Sequence, residues 1–441
     1  MMRNAPYVLV VPVILAFASV ASSQEGSAKE AISKKLEGEI ASLVETYKHL
    51  HSHPELSLLE EKTSALLAKE LTKLGFEVTA KVGGHGVVGI IRNGTGPTVL
   101  VRADMDALPV TEKTDLPYAS KVRVRDKNGR DVGVMHACGH DIHMTSWLGA
   151  ARVLTQLKDR WKGTLIFIGQ PAEEIGAGAR MMLEDGLFKR FPRPDMCFGL
   201  HCDPRSPYGY VGYSEGMLLA NVDSIDITVK GKGGHGSAPH MTIDPIVLAA
   251  RMVLDFQTLV SRENNPQEAA VVTVGSIHGG TQYNIIPSEV HLQLTVRTFK
   301  DDVRAHMLEG IDRMAKAAAA SARAPEPVIK VEDKNFTPAL INDAPLAKKT
   351  AKAFAGVLGQ DRVVLMPPIL GGEDFGRFGR AGVPSFFWFI GTQHAATVAE
   401  AKKSGTQLPG LHSDFFAPVP EQTIRVGATT LSLAVLSAMG E

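Results

Sequence analysis

Short apolar runs that each end in polar residues constrain the fold of this chain most strongly. The clearest runs are Thr98–Arg102, Thr164–Ile168, Met196–Leu200 and Ser385–Ile390, and stretches of helical periodicity separate them. Nearly continuous apolar runs of this length are typical of strands that are buried on both faces of a mainly parallel sheet. The pattern therefore predicts an α/β fold with helices packed against that sheet.

Two segments carry the periodicity of such covering helices. Residues 34–75 place leucines between Glu and Lys residues and end at Gly75, a residue type that commonly follows a helix. A second helix is predicted from Asp141 to Lys158, with Asp141 as its N-cap and with Trp147 and Leu154 on its apolar side.

The pattern changes near Asn221, where apolar and polar residues begin to alternate. Ser224–Val229 and Val290–Arg297 are examples of these alternating strands, and helical stretches accompany them over Pro245–Arg262 and Val303–Arg323. Alternation predicts an antiparallel sheet with one open face. We therefore predict an inserted α+β domain.

The inserted domain is predicted to occupy residues 221–334. The chain then returns near Phe336 to the domain that it left, so one larger domain is built from residues 24–220 and 335–441. Two or three domains suit a chain of 441 residues.

The first residues have the features of a secretory signal peptide. Arg3 provides a positive start, Val8–Val20 is almost wholly apolar, and small residues follow as far as Ser23. An apolar stretch of about 13 residues falls short of the roughly 20 that span a bilayer as a helix, which disfavours a retained anchor. Residues 1–23 are therefore predicted to be a signal peptide, and the mature chain is expected to be secreted or periplasmic without stable membrane association.

The balance of charge excludes some classes of partner. The chain has 47 Lys and Arg residues against 47 Asp and Glu residues, so its formal net charge is +0 at pH 7. A nucleic-acid-binding protein, or a protein held on an acidic membrane by basic residues, needs a positive excess. The neutral chain instead fits a small-molecule substrate.

Three cysteines are too few for a disulfide scaffold, and their odd number leaves at least one of them unbridged. Cys138 lies in a loop between histidines, which favours metal binding for this thiol. Cys197 and Cys202 are predicted to be two buried thiols rather than a disulfide.

Polar clusters follow three of the predicted strands directly. These clusters are, in chain order, Asp104 with Asp106, Gln170 to Glu174, and His201 with Cys202. In open α/β sheets, ligands bind beyond the carboxyl ends of the strands, so these side chains are expected to converge in one crevice. The loop His136–His143 and the late segment Leu411–Asp414 add further imidazoles and carboxylates.

Thiolate, imidazole and carboxylate groups together suit a borderline metal ion such as zinc. Cys138 and His140 stand two residues apart in a loop with glycine, so both can turn toward one ion. Glu173 and Glu174 allow one carboxylate to bind metal while the other accepts a proton from an activated water. Packing, solvation or surface exposure explains each feature alone, but their coincidence at successive strand ends favours a metal site.

Several motifs then follow one another in a recognisable order. They are Asp104–Pro109, His136–His143, Gln170–Glu174, Gly199–His201, Gly231–His235, Asn284–Pro287 and Gly371–Phe375. Together they resemble the M20 family of metallopeptidases, specifically the amidohydrolase branch with hippurate hydrolases, N-acyl-amino-acid amidohydrolases and plant auxin-conjugate hydrolases. The resemblance begins near His51 and covers essentially the whole chain after the predicted signal peptide.

The resemblance implies a two-metal amidohydrolase with a catalytic domain and an inserted lid and dimerisation domain at the boundaries given above. Carried over position by position, the implied metal ligands are Cys138, His140, Glu174, His201 and His412. Cys138 would bridge the metals where the peptidase branches have Asp, and Asp104 stands where those branches have a ligand His. Two divalent ions are expected, zinc or manganese, with cobalt and nickel as alternatives.

The remaining roles are implied in the same way. Glu173 would be the general base, and Asp106 would orient a metal ligand without binding metal. His235 would stabilise the oxyanion, often from a partner subunit, so a homodimer is expected. Asn284 and Arg297 are implied for the substrate carboxylate, although an Arg on a strand is also a common surface residue.

The glycine-rich segment that contains His235 has a second interpretation. Its glycines could form only a tight turn after a strand, and it lacks the Lys-Ser/Thr pair and the helix start of a phosphate-binding loop.

The implied reaction is hydrolysis of N-acyl or N-aroyl amino acids to a carboxylic acid and an amino acid. One alternative is a dipeptidase or aminopeptidase of the same fold, which Cys138 at the bridging position disfavours. Another is a non-catalytic metal- or ligand-binding relative, which has no chemical need for Glu173. The acyl specificity depends on loops such as Leu365–Pro368 and Thr397–Leu411.

Overall fold

The computed structural model describes residues 28–125, 129–332, 334 and 336–440. The predicted signal peptide, residues 1–23, lies outside the described residues. Within the described part, no helix combines the length and the apolar character that a membrane crossing requires.

Helices occur along the whole described chain. They are α1 (28–37), α2 (Ile40–Ser52), α3 (Glu61–Lys73), α4 (His140–Gln156), α5 (Gly178–Glu184), α6 (Leu187–Arg190), α7 (Pro245–Thr258), α8 (Asp301–Ser321), α9 (Ala344–Leu358), α10 (Gly376–Arg380), α11 (Ala395–Ser404) and α12 (Pro420–Met439).

Strands form two larger sheets and three short ribbons. They are β1 (Glu77–Val82), β2 (Gly86–Asn93), β3 (Thr98–Asp104), β4 (Arg123–Arg125), β5 (Asp131–Gly133), β6 (Gly163–Gln170), β7 (Met196–Pro207), β8 (Val211–Tyr213), β9 (Met217–Leu219), β10 (Asn221–Lys230), β11 (Gly234–His235), β12 (Ala270–Gly279), β13 (Ile285–Ile286), β14 (Glu289–Thr298), β15 (Val328–Val331), β16 (Leu340–Ile341), β17 (Val363–Leu365) and β18 (Ser385–Gln393).

The larger sheet is parallel at its centre. Among the described residues its order is β1-β2-β6-β3-β7-β18-β8-β17, and β6, β3, β7 and β18 run in the same direction. These four strands contain the four predicted apolar runs, and they are buried on both faces. Side chains alternate between the faces: Val99 and Val101 pack with helices on one side, and Leu100 packs on the other. The expected α/β class with a mainly parallel sheet is confirmed.

Helices cover both faces of this sheet. Side chains of α1 to α4, α9 and α12 form one core with it, and those of α5, α6 and α10 form the second. Two details differ from the predictions. The segment 34–75 is broken between α2 and α3, and α4 has Gly139 rather than Asp141 as its N-cap.

The smaller sheet is antiparallel, with the order β12-β14-β10-β15. Alternate residues of β10, including Ile225, Ile227 and Val229, pack against α7 and α8. The other face is open, as the alternating pattern indicated. The predicted boundaries of this lid domain at residues 221 and 334 stay predictions.

Candidate metal centre and active site

The parallel strands bring the predicted polar clusters to one edge of the larger sheet. Asp104 at the end of β3 pairs in register with Gln170 at the end of β6, and Glu173 and Glu174 follow in the next turn. His201 lies on the neighbouring strand β7. The crevice beyond the strand ends therefore collects carboxylates and imidazoles, as expected for this sheet type.

Among the described residues, five groups of potential ligand atoms lie in this crevice, and Cys138 belongs to two of them. The first comprises Cys138, His140 and His201, and the second comprises Cys138, Glu174 and His412; within each group the atoms lie within 4.8 Å of one another. Cys138 Sγ is 3.4 Å from His201 Nε2, and His412 Nε2 is 3.4 Å from a carboxylate oxygen of Glu174. The structure thus brings all five implied ligands together.

Gly139 allows the loop to turn its two neighbours into the crevice. Its φ of +85° lies in the left-handed region, and a Cβ at this position would come within 2.9 Å of Cys202 Sγ. A side chain here is therefore both strained and sterically blocked. His412 also has a positive φ, of 65°, and such strain in a residue other than glycine is concentrated at functional sites.

Asp106 organises the crevice through its two oxygens. They accept the backbone N–H groups of Glu173 and Glu174 over 3.1 and 3.0 Å, and Ser57 Oγ donates to it over 2.6 Å. Oδ1 of Asp106 also lies 3.4 Å from Nδ1 of His140. Asp106 therefore fixes the turn that carries both glutamates and the ring beside them.

Backbone contacts define the tautomers of two histidines. Nδ1 of His201 is 2.9 Å from the carbonyl oxygen of Cys202, which places the proton there and leaves the Nε2 lone pair free. His143 differs, because Nδ1 pairs with Asp104 over 2.7 Å and Nε2 accepts the N–H of Cys202. Both nitrogens of His143 are occupied, so this histidine supports the site rather than supplying a ligand.

A buried arginine network lies beneath the glutamates. Arg102 donates to Asp104 over 2.7 Å and to Glu373 over 2.7 Å, and it also contacts Asp374 and Gln170. The sequence interpretation counted Arg102 only as a strand residue. Its position in an otherwise apolar run was the available signal, because an arginine there must be paired with acids.

The charge of the crevice fits bound cations. Six carboxylates gather there, those of Asp104, Asp106, Glu173, Glu174, Glu373 and Asp374, and Arg102 is the one fixed cation that the described structure pairs with any of them. Buried charges in proteins are paired or bind metals. Nε2 of His140 and Oε1 of Glu174 are also buried without a hydrogen-bond partner among the described residues. These open ligand atoms and the excess negative charge fit two divalent ions.

The pKa values reflect this environment. Burial raises the pKa of the Glu173 carboxyl well above its usual range, and the neighbouring Glu373 and Glu174 raise it further. Burial opposes the charge on His140, yet Asp104 and Asp106 raise its pKa to about 10. Burial also raises the pKa of the Cys138 thiol, so a thiolate there requires a nearby cation.

Glu60 is a site residue that the sequence interpretation missed. Its Oε1 accepts the N–H of Ala172 over 2.8 Å, directly before Glu173, and Ala172 has a positive φ of 52°. The carboxylate is fully buried, and burial followed by the charge of Asp106 raises its pKa to about 7. Glu60 and Asp106 together therefore hold three successive amides of the turn.

A second missed cluster lies behind α4. His51 is 2.7 Å from Asp141 and 3.0 Å from Glu112, and its side chain is buried. Burial opposes its charge, but the two carboxylates raise the pKa of His51 to about 10. Asp141 therefore pairs with His51 instead of forming the predicted N-cap through its side chain.

The three implied substrate-binding residues occupy different places. A cavity of about 440 Å³ opens beside Glu173, Glu174 and His201, and Arg297 of β14 lines it from the smaller sheet. The guanidinium of Arg297 has no acidic partner among the described residues and donates to the carbonyl of Leu370.

His235 and Asn284 are exposed and do not line this cavity. The N–H and the hydroxyl of Ser237 contact Nδ1 of His235, over 3.1 and 2.8 Å. Within one chain, these two residues therefore stand apart from the metal cluster.

The comparisons with known proteins agree with this architecture. A model of peptidase family M20/M25/M40 matches residues 100–404. The chain belongs to the M20 family. It is a metallo-hydrolase that acts on amide bonds, on a fold that binds a dinuclear metal centre.

Two curated relatives illustrate the activities in this M20 group. Thermostable carboxypeptidase 2 of Saccharolobus solfataricus is 36% identical over 398 residues, which cover 89% of this chain and 94% of the relative. N-acetylcysteine deacetylase of Bacillus subtilis is 38% identical over 354 residues, which cover 79% of this chain and 88% of the relative. The two names describe a carboxypeptidase and a deacetylase.

A solved structure shows the same fold. The YXEP protein of Bacillus subtilis, described as a dinuclear metal-binding peptidase of the M20 family, is 33% identical with a TM-score of 0.73. The match covers 91% of this chain and 99% of that chain. The expected family, fold and enzyme class are thereby confirmed.

The predicted secreted or periplasmic location is wrong. The related N-acetylcysteine deacetylase and the Synechocystis protein sll0100 are typically cytosolic, which contradicts a secreted or periplasmic location. An apolar run of about 13 residues does not identify a signal peptide by itself, because runs of this length also occur as buried helices.

Proposed function

We propose that this M20 hydrolase cleaves the amide bond of N-acyl amino acids and releases a carboxylic acid and an amino acid. One observation carries the proposal: two ligand groups share Cys138 in a crevice that also contains Glu173, and the same cavity is lined by Arg297, which has no acidic partner among the described residues. The deacetylase relative acts on a substrate of this class.

In this proposal Cys138, His140, Glu174, His201 and His412 would hold the two ions. Zinc or manganese suits the mixture of imidazole, carboxylate and thiolate, with cobalt or nickel as alternatives. Bound ions supply a polarised amide carbonyl and an acidified water.

Glu173 moves the proton in this proposal. Its carboxylate lines the cavity. The carboxylate of Asp106 accepts the backbone N–H of Glu173 and so fixes the direction of Glu173. Glu173 accepts a proton from the attacking water and donates it to the departing amine nitrogen, so the carbon–nitrogen bond breaks without releasing a free amide anion.

Arg297 is assigned to the carboxylate of the amino acid. A guanidinium can bind a carboxylate through two parallel hydrogen bonds. Arg297 is half-buried, burial lowers its pKa, and a carboxylate partner would relieve that unfavourable burial.

A second copy of the chain is assigned to complete the site with His235 and Asn284. The proposal includes a catalytic domain of residues 24–220 and 335–441 and a lid and dimerisation domain of residues 221–334. Strand β12 lies at the edge of the lid sheet, and Ile277 on it is half exposed, at 51%. An open strand edge is available to pair with another chain.

Replacement of Glu173 tests the function directly. The purified chain, supplied with metal, is assayed with hippurate and N-acetyl amino acids. Glu173→Gln should lower kcat by about 10²- to 10⁴-fold while bound metal, measured by elemental analysis, stays at the wild-type level. Glu184→Gln, at a largely exposed position, is the control and should leave both values unchanged. Wild-type turnover in Glu173→Gln would refute the assignment.

A peptidase activity is the second candidate, because one relative is a carboxypeptidase. Hydrolysis of free dipeptides with no turnover of any N-acyl amino acid would favour it. Parallel assays with both substrate classes on one metal-loaded preparation separate the two candidates.

A further inference from the structure

We propose that a second cavity, which shares part of its lining with the cavity that contains Arg297, is the acyl-binding chamber and that it selects bulky apolar acyl groups. The proposal rests on the function proposed above and names its substrate class: amino acids that carry an aromatic or medium-chain acyl group.

The chamber adjoins the metal centre directly. It has a volume of about 680 Å³, and Ile369, Phe389 and Leu411 line both this chamber and the 440 Å³ cavity. Leu411 precedes the implied ligand His412, and the ring of Phe389 lies 5.9 Å from the ring of His201. The chamber therefore adjoins the cavity that Cys138, Glu174, His201 and His412 line.

The lining gives the chamber an apolar interior. Six apolar side chains contribute to it, those of Met366, Ile369, Phe389, Val398, Leu408 and Leu411. Val398 and Phe389 are almost fully buried, with 5% and 7% of their surface exposed. Of the three charged lining residues, Arg205 and Lys402 are exposed, which places them at the mouth, and Asp203 is partly buried and accepts a hydrogen bond from Ser206. An apolar interior with a polar rim is typical of small-molecule sites.

The two cavities differ in the chemistry that they offer to the two halves of an amide. The cavity on the lid side contains Arg297 and suits a carboxylate, whereas the chamber contains no basic group in its buried part among the described residues. An N-acyl amino acid with its amide at the metal centre would therefore direct its carboxylate toward Arg297 and its acyl group into the chamber.

The size of the chamber sets the preferred acyl group. A methyl group has a volume similar to that of one water molecule, about 30 Å³. An acetyl group would therefore leave most of the chamber unfilled. Each additional methylene that is buried increases the binding constant about fourfold. The loops Leu365–Pro368 and Thr397–Leu411, on which acyl specificity was expected to depend, both contribute side chains to this chamber.

Helix α11 offers a matched pair of variants for the test. Ala401 lines the chamber, whereas Ala399, on the same helix, is exposed and does not line it. Ala401→Trp should fill the chamber, and Ala399→Trp adds the same ring outside it. Ala401→Leu is a milder filling variant that serves if the larger one does not fold.

The experiment compares kcat/KM for N-acetyl-, N-butanoyl-, N-octanoyl- and N-benzoyl-alanine with the full metal-loaded chain. Wild-type protein should prefer octanoyl or benzoyl over acetyl by at least about tenfold. Ala401→Trp should reduce this preference by about tenfold or more and spare the acetyl substrate, and Ala399→Trp should keep it. Equal kcat/KM values for all acyl groups, or equal effects of both tryptophan variants on the acyl preference, would overturn the proposed role of the chamber.

Failure of the proposed function gives a different result. If no N-acyl amino acid is hydrolysed at all, the proposed reaction fails. Calorimetric titration with octanoate and acetate then still tests whether the chamber binds apolar acyl groups. Tighter binding of octanoate that Ala401→Trp abolishes supports the chamber, and equal binding of both acids overturns it.

Discussion

At the scale of single residues, two buried carboxylates position the catalytic turn without facing the cavity. Asp106 receives the amides of Glu173 and Glu174, and Glu60 receives that of Ala172. Backbone groups in a buried turn cannot exchange these partners for water, so each lost acceptor leaves an amide unpaired. The direction of Glu173 thus depends on residues that do not line the cavity.

Glu60 offers a test of this positioning. Glu60→Ala should lower kcat by about tenfold and the free energy of unfolding by about 1–3 kcal/mol, because the amide of Ala172 loses its acceptor. Glu60→Gln retains an acceptor oxygen and should preserve most of kcat. Steady-state kinetics, urea unfolding and metal analysis check these outcomes. Full activity in Glu60→Ala would show that the turn holds its shape without this carboxylate.

His51 gives a prediction for the pH dependence of stability. Its pKa of about 10 in the folded chain lies above the unfolded value of about 6.5, so folding takes up a proton between these values. Its stabilising contribution is complete below pH 6.5 and is lost as the pH rises through 10. His51→Gln should cost about 3 kcal/mol at pH 6, and this difference should shrink steadily toward pH 10.

Urea unfolding of His51→Gln and wild type at several pH values measures this difference. His291→Gln is the control, because its contact with Glu289 is half exposed and such pairs contribute little to stability. A loss in His51→Gln that is constant from pH 6 to pH 10 would contradict the assigned pKa.

The residues that the sequence predicted and those that it missed differ in how far their partners lie along the chain. Polar residues directly after apolar runs, such as Asp104 and Glu174, are visible because strand ends converge in parallel sheets. Arg102 reaches Glu373 across 271 positions, so no local pattern reports that pair. His143 has the residue type of a ligand, and only the contacts of its two nitrogens remove it from the ligand set.

At the scale of elements, the start of α4 couples the fold to the metal centre. The helix begins at His140, and the loop before it carries Cys138. The sequence predicted this helix within two residues but misplaced its cap, because Asp is a common N-cap and its pairing with His51 depends on the distant α2.

Gly139 is the test of this coupling. Gly139→Ala should destabilise the chain by about 2–3 kcal/mol, since it combines a positive φ with a contact to Cys202, and it should lower the metal content. Gly405→Ala is the matched control, because Gly405 has a φ of +72° with nothing within 4 Å. Gly405→Ala should cost only about 1 kcal/mol and retain metal. Equal metal content in the two variants would contradict the proposed coupling.

At the scale of the whole molecule, the proposed function requires the lid sheet to complete the site of a second chain. Within one chain Arg297 reaches the cavity, but His235 and Asn284 stand on exposed turns outside it. The motif that contains His235 was recognisable in the sequence. Its separation from the crevice depends on how the lid sheet is placed relative to the larger sheet, and no local sequence pattern reports that placement. A second copy that pairs along the edge of β12 would have a two-fold axis, so each chain could complete the other's site.

Mixing two inactive variants tests this arrangement in full. Glu173→Gln retains His235, and His235→Ala retains Glu173, so a mixed dimer has one complete site. After equal amounts exchange subunits at random, half of the dimers are mixed, and about a quarter of wild-type activity should return. Each variant alone should stay inactive, and a mixture of Glu173→Gln with the double variant should also stay inactive. If His235 acts within its own chain, no mixture recovers activity, and the shared site is refuted.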